Sequence, residues 1–376
     1  GAMKTIWASP FVRVLIKGLA LFVVLNLAFA LFQPMPLLSR LSLYNSVFTG
    51  RERLPFGYRP DKAYNLVVNN LDAMLASHAV SAPKRADEFR VLVLGDSSVW
   101  GVLLQPADTL VGRLNALELR AKDGRRMRFY NLGYPDFSVT KDLLLLQRGL
   151  GLQPDLVLWL VTLNSLPTDR QIEHLLVRSN PAEARALIGR FGLGLNDSDP
   201  QFDAPGLLDR TIAGERRNLA DLMRLQLLGL PWAATGIDQD YPDRYDPVTL
   251  DLEASDAIRG FTPPVLRDDE IRLDALTAGY RLALERGVPL IFINEPVAIS
   301  AGNNSDIRYN AFYPRWAYDQ YRVRLAEAIG GTGAGYLDLW DLAPVAEFTN
   351  SPVHLNPAGS ARLAKRIAEA LPGWLR

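Results

Sequence analysis

The chain has no cysteine and only three histidines, His78, His174 and His354. The first absence excludes disulfides, thiol catalysis and thiolate metal sites. The second leaves three choices for any mechanism that needs an imidazole base. No charge excess exists either: Lys+Arg and Asp+Glu are 41 each. A phosphate-binding surface shows as a basic surplus, so nucleic acid is not an expected partner. Zinc-ligand spacings, phosphate-binding loops and dinucleotide fingerprints are missing, so the sequence asks for no metal and no cofactor. Internal repeats and low-complexity tracts are missing too. What remains is 376 residues, 48% hydrophobic and 22% charged, the composition of one large or two medium globular domains.

One long apolar run stands out. Gly1-Ala2 before Met3 reads as a cloning scar. Lys4, Arg13 and Lys17 then precede Gly18 to Phe32, apolar except for Asn26, and Pro34 to Leu38 extends the stretch beyond Gln33. About 20 such residues span a bilayer. The basic flank predicts a cytoplasmic N-terminus, with the rest of the chain outside a bacterial inner membrane on a single-pass anchor. A cleaved signal peptide, cut near Ala28-Phe29-Ala30, and a long buried helix are the other readings of the same run. The expected organisation is scar and anchor over 1–38, a linker over 39–88 and the main domain over 89–376. The linker holds Tyr44, Phe56, Tyr58 and a helical stretch from Tyr64 to His78.

From Phe89 strands and helices alternate. Val91–Leu94, Met127–Asn131, Leu156–Leu163, Val288–Asn294 and Gly335–Trp340 read as strands. Helical patterns at Thr109–Leu119, Thr140–Leu150, Ile271–Arg286 and Ser360–Leu371 separate them. The third strand is apolar throughout, as a parallel strand covered on both faces should be. Such alternation predicts an α/β fold with a parallel sheet of about five strands. Residues 166–268 are too many for a crossover and predict an insertion on the side where the strands end. Its Leu-rich stretch, Leu219–Leu230, is read either as core packing or as a lid or membrane-facing flap.

The first strand stops at Gly95-Asp96-Ser97. A glycine lets the backbone turn sharply, and a serine there opens the next helix, where backbone N–H groups are unpaired. By itself the tripeptide is equally a capped helix start. The second strand ends in Asn131-Leu132-Gly133 and the third in Thr162-Leu163-Asn164-Ser165. In a parallel sheet these ends share one edge. The N–H groups of Ser97 and Gly133 and the carboxamide of Asn164 then compose an oxyanion hole. His354 lies between Pro352 and Pro357 before the last helix, where a general base can reach that edge. His174 is expected to be a solvated helix residue and His78 a linker residue.

Serine after the first strand, glycine after the second, asparagine after the third and histidine before the last helix resemble the SGNH (GDSL-type) hydrolase superfamily over about Phe89 to Leu371. The resemblance implies a three-layer α/β/α sandwich of flavodoxin-like type. It implies Ser97 as nucleophile, His354 as base, and Ser97, Gly133 and Asn164 as oxyanion donors. Three positions, in two blocks, depart from the family pattern. Thr162 and Ser165 stand where it has glycine and aspartate, and Ser351 stands where it has the aspartate three residues before the histidine. Asn350, Ser351, Asp338 and Asp341 are the candidates left to orient His354, and a bare Ser-His dyad is the alternative.

After the fourth strand, Asn294, Glu295, Tyr309 and Trp316, with further tyrosines up to Tyr321, are read as a substrate pocket or as ordinary core packing. The expected function is a serine esterase or O-acyltransferase acting on acyl esters of envelope glycans or lipids. The anchor topology resembles that of extracytoplasmic SGNH proteins that work beside a membrane-bound acyltransferase, which implies such a partner. A catalytically silent binding or scaffold protein on the same fold is the second reading.

Overall fold

An apolar run with no acidic residue folds as one helix, α1 (Pro10–Phe32). At about 1.5 Å per residue it is about 35 Å long, enough for the ~30 Å apolar core of a bilayer. Its leucines and valines face outward, Leu15 at 61% and Leu21 at 59% exposure, so α1 is not a buried core helix of this fold. Among the described residues it is the one helix long and apolar enough to cross a membrane. The computed structural model describes residues 10–57, 61–258, 260–261 and 263–374, so Gly1-Ala2, Lys4 and Tyr58 lie outside the described residues.

The stretch 39–88 is not a linker. Tyr44, Leu54, Phe56, Val68 and Met74 are buried in the same core as the sheet. Its helix is shorter than the sequence pattern predicts: α2 (Leu71–Ser77), started by Asn70, whose Oδ1 accepts the Ala73 N–H. Arg53 is buried here. Its guanidinium pairs with Asp238 and donates to the carbonyls of Gly101 and Leu104, both at 2.9 Å. One side chain thus ties this segment and the insertion to the loop that follows Ser97.

From Glu88 the chain alternates as expected: β1 (Glu88–Leu94), α3 (Leu110–Ala116), β2 (Arg126–Asn131), α4 (Val139–Gly149) and β3 (Leu156–Val161). The insertion carries α5 (Pro181–Phe191) and α6 (Arg216–Thr235). Then come α7 (Leu273–Glu285), β4 (Leu290–Asn294), α8 (Arg315–Gly330), β5 (Gly335–Asp338) and α9 (Pro357–Ala370). All neighbouring strands are parallel, in the order β2-β1-β3-β4-β5.

Strand alternation builds the layers. Leu92, Leu94, Val157, Trp159 and Phe292 face one core, which α4, α7 and α8 cover through Leu143, Leu146, Leu276 and Leu325. Val91, Val93, Leu158, Ile291 and Ile293 face the other, which α3 and α9 cover through Leu110, Leu114, Leu363 and Ile367. The architecture is therefore the three-layer sandwich. Strand order reverses between β1 and β3, and in open α/β sheets the crevice at that point, beyond the carboxyl ends, is where ligands bind.

The insertion leaves the sheet right after β3, and its neck is closed by a bridge between Pro167 and Ile271. Its first half packs on α4 and gives Leu176, Leu187 and Ile188 to the core. The second half behaves differently, as described below.

Candidate active site

β1 ends at the switch point, and Gly95 makes the turn. Its φ of +153° is a backbone state that side chains disfavour. A Cβ there would lie 2.6 Å from Val99 Cγ2 and 3.2 Å from the Leu160 carbonyl oxygen. Asp96 caps the short helical turn Ser97–Trp100, its Oδ1 accepting the Ser98 N–H at 2.9 Å. Ser97 opens that turn, 9% exposed, and its own N–H has no intrahelical acceptor.

His354 arrives from a loop pinned at both ends. Its N–H donates to the Ser351 carbonyl at 3.2 Å, and its carbonyl accepts the Thr349 N–H at 2.8 Å. Asn356 then caps α9 through Oδ1, which accepts the Ala358 and Gly359 N–H groups. So held, His354 Nε2 lies 2.8 Å from Ser97 Oγ. Burial pushes the imidazole pKa below its usual 6.5, against a pull upward from the Asp96 charge. The ring is therefore neutral near pH 7 and able to accept a proton.

None of the four residues proposed to orient His354 touches its ring. Nδ1 is buried and has no hydrogen-bond partner among the described residues. Asp338 is engaged elsewhere, accepting from Asn294 Nδ2 at 2.8 Å and from Arg322 at 2.6 Å. Asp341 and Asn350 are exposed, and Ser351 meets His354 only through its backbone carbonyl.

The oxyanion donors need one correction. The Gly133 N–H is donated to Asn131 Oδ1 at 3.0 Å, and Asn131 Nδ2 in turn holds the Val99 carbonyl at 2.7 Å. Gly133 is instead a close-packing glycine: a Cβ there would stand 2.6 Å from the Trp100 nitrogen. Asn164 is half-buried, and its carboxamide bonds no described residue. The adjacent Ser165 Oγ donates to Asp96 Oδ2 at 3.3 Å, which joins the ends of β1 and β3 beside Ser97. Of the three groups expected to donate there, the Ser97 N–H and the Asn164 carboxamide remain.

The residues proposed as a substrate pocket are core. Asn294 is fully buried, bridging Asp338 and the Tyr321 hydroxyl, which donates to its Oδ1 at 3.0 Å. The Tyr309 hydroxyl donates to Asp319 at 2.7 Å, and its ring packs on Trp340 and Tyr318. Trp316 Nε1 donates to the Asp256 carbonyl at 2.7 Å. Glu295 is buried with its carboxyl against Ser98 Oγ.

Glu295 belongs to a polar network that the sequence reading missed. Lys141, on α4, is wholly buried. Its Nζ donates to the carbonyls of Tyr134 at 2.7 Å and Gly95 at 3.1 Å and pairs with Asp142 Oδ1 at 2.8 Å. Asp142 Oδ2 also accepts the Trp159 Nε1–H at 3.2 Å. Burial, with Asp96 beside it, raises the Glu295 carboxyl well above the usual range, and burial raises Asp142 as well. A lysine followed by an aspartate at the start of a leucine-rich helix reads as a polar surface, which hid this pair.

The other two histidines are structural. His78 is buried, with Nδ1 accepting the Val80 N–H at 3.0 Å. His174, expected to be solvated, is buried as the cap of a helical turn, with Nδ1 accepting the Leu176 N–H at 3.0 Å. Burial lowers the pKa of His78 to about 4 and of His174 to about 3. Both then bind protons more readily in the unfolded chain. Their stabilisation is complete above the unfolded value near 6.5 and is lost as pH falls from there towards 4 and 3. Thermal unfolding should show Tm falling between pH 7 and pH 4.5. His174→Asn keeps a capping oxygen and should fall less over that range. An identical pH slope in the variant removes His174 from the account.

No family model matches the chain, and no curated protein matches it. Solved structures similar to it include Est24, a carbohydrate acetylesterase from Sinorhizobium meliloti, at 12% identity and TM-score 0.35, covering 76% of this chain and 98% of that one. A carbohydrate acetylesterase family member from the same organism gives 13% identity and TM-score 0.31, with the same coverage. A G-D-S-L family protein from Desulfitobacterium hafniense DCB-2 gives 9% identity and TM-score 0.35, covering 75% of this chain and 98% of that one. The five-stranded parallel sandwich, with Ser97 after β1, Asn164 after β3 and His354 before α9, is the fold and placement that the SGNH resemblance implies.

Proposed function

We propose that the chain is a serine ester hydrolase or O-acyltransferase, with Ser97 as nucleophile and His354 as general base. The observation that carries this is the 2.8 Å approach of His354 Nε2 to Ser97 Oγ, across 257 positions of sequence, at the switch point of the sheet. His354 takes the Oγ proton as Oγ attacks an ester carbonyl. The Ser97 N–H and the Asn164 carboxamide stabilise the oxyanion. The imidazolium returns the proton to the leaving alkoxide, which leaves an acyl group on Ser97. Water then completes hydrolysis, and a sugar or polyol hydroxyl completes transfer. With α1 as a retained anchor, the substrate is an acyl ester of an envelope glycan or lipid, and a membrane-bound acyltransferase is the natural donor-side partner.

The orphaned Nδ1 of His354 favours a second reading, a silent binding or scaffold protein on this fold. One experiment separates the two. A fluorophosphonate should label the full chain, and Ser97→Ala should not be labelled. Because burial lowers the His354 pKa, its neutral form persists below pH 6.5, so labelling should hold from pH 8 to 6.5 and decline only below. An unlabelled parent chain overturns the enzyme reading and leaves the scaffold.

A further inference from the structure

Helix α6 is apolar on two sides. Leu225 and Gly229 are buried, while Met223, Leu227 and Leu230 stand outward at 66%, 62% and 56% exposure. Their spacing of four and three residues lines them up on one face. The loop before the helix adds Leu207 and Leu208, at 53% and 80% exposure. An outward apolar stripe of this length marks a contact surface.

Where the stripe sits identifies what covers it. The Ala213 N–H, in the loop before α6, donates to Asn26 Oδ1 on α1 at 3.0 Å. Asn26 lies six residues before the end of α1, about 9 Å along its axis. The insertion therefore reaches back beside the apolar helix. On its other flank Gln226 Oε1 accepts the Leu43 N–H, and the Tyr44 hydroxyl donates to the Leu225 carbonyl, both at 2.9 Å. The chain that follows α1 is thus bonded to α6, and it too exposes apolar side chains: Leu37 at 68%, Leu41 at 62% and Val47 at 74%. Hydrogen bonds thus tie the loop to α1, and the chain after α1 to α6. A cavity of about 550 Å³ opens between the end of α1 and the loop, with Phe29, Met35 and Phe202 beside Arg185 and Arg210 and with Asp203 and Glu215 on the same lining. Exposed Arg216, Arg217 and Arg224 follow on α6, Arg224 pairing with Asp221 at 3.2 Å. Arginines beside outward leucines fit lipid phosphates lying over acyl chains.

We propose that α6 and the 205–215 loop are a second membrane contact, an interfacial element that lies in the headgroup layer of the bilayer spanned by α1, with phospholipid as its occupant. The proposal rests on α1 being a retained span. A single helix is a swivel, and a second contact fixes which way the catalytic edge faces.

The cysteine-free chain makes the test direct. Single cysteines at Leu208→Cys and Leu227→Cys carry an environment-sensitive fluorophore. The full chain is reconstituted in phosphatidylethanolamine–phosphatidylglycerol vesicles with nitroxide lipids. Leu19→Cys reports α1, and Lys122→Cys, exposed ahead of β2, is the soluble control. Quenching of about twofold or more is expected at 208 and 227, strongest for shallow nitroxides, and none at 122. Quenching at 19 but not at 208 or 227 overturns the proposal and leaves the span intact. No quenching at 19 overturns the span and the proposal together. A blue shift at 227 that grows with protein concentration, without lipid quenching, assigns the stripe to a second copy and also overturns it.

Discussion

Ser97→Ala and His354→Ala should each lower kcat/KM for an activated ester by about a hundredfold, and the double variant should be no slower than either single one. The size follows from the missing acid. In a complete triad, losing the serine or the histidine costs about 10⁶-fold and losing the acid about 10⁴-fold. A serine–histidine pair whose Nδ1 bonds no carboxylate starts about 10⁴ lower and has about 10² left to lose. The non-additivity follows from the proposed mechanism, in which the two side chains, 2.8 Å apart, share one proton transfer. A loss near 10⁶-fold would mean that a carboxylate reaches Nδ1 once substrate is bound, and the exposed Asp341 would be the first residue to examine. Singles that multiply in the double variant would break the pair apart. Asp96 makes a weak pair worth having. Its charge favours the imidazolium, doing from beneath part of what the absent aspartate does from behind.

How far the sequence could lead depended on periodicity. Strands such as Leu156–Val161 are apolar on both faces and are ended by turn residues, so their existence and their shared edge were legible, and Ser97, Asn164 and His354 followed from it. Irregular chain has no such signal. Residues 39–88 alternate nothing, yet Tyr44, Phe56 and Met74 are as buried as the strands. The aromatic run after β4 was ambiguous for a related reason. Tyr318 and Tyr321 sit on the buried face of α8, and Tyr313, just ahead of that helix, packs its ring on Tyr318, so core packing and not a ligand gathers them. Gly133 misled because a glycine at a strand end is needed both for a free N–H and for a close backbone approach. Only the Asn131 side chain, folded back on the turn, decides between the two.

Lys141→Met should destabilise the fold by about 3–5 kcal/mol, the usual result of leaving a buried charge without its partner. Lys141 and Asp142 are at 0% and 1% side-chain exposure, so water cannot replace either one. Asp142 pairs with this ammonium and Glu295 feels its charge, Asp96 lies close enough to act on both carboxyls, and burial already raises the two of them. Without the lysine, Asp142 must take up a proton on folding, which makes the variant weaker at high pH than at low. The variant Lys141→Met with Asp142→Asn removes both charges and keeps an acceptor for Trp159, so it should recover most of the loss. Urea unfolding of the three proteins reads both effects, and a Lys141→Met midpoint equal to the parent's would dismiss the buried pair as a contributor. The consequence also reaches the site. Lys141 Nζ holds the Gly95 carbonyl, one peptide before Asp96 and two residues before Ser97, together with the Tyr134 carbonyl from the turn after β2. That ammonium reinforces the joint between the ends of β1 and β2, where the Tyr134 N–H also donates to the Gly95 carbonyl at 3.0 Å. In the double variant, stability should return while ester turnover stays low, because neither methionine nor asparagine supplies the second donor to the Gly95 carbonyl at the Ser97 turn.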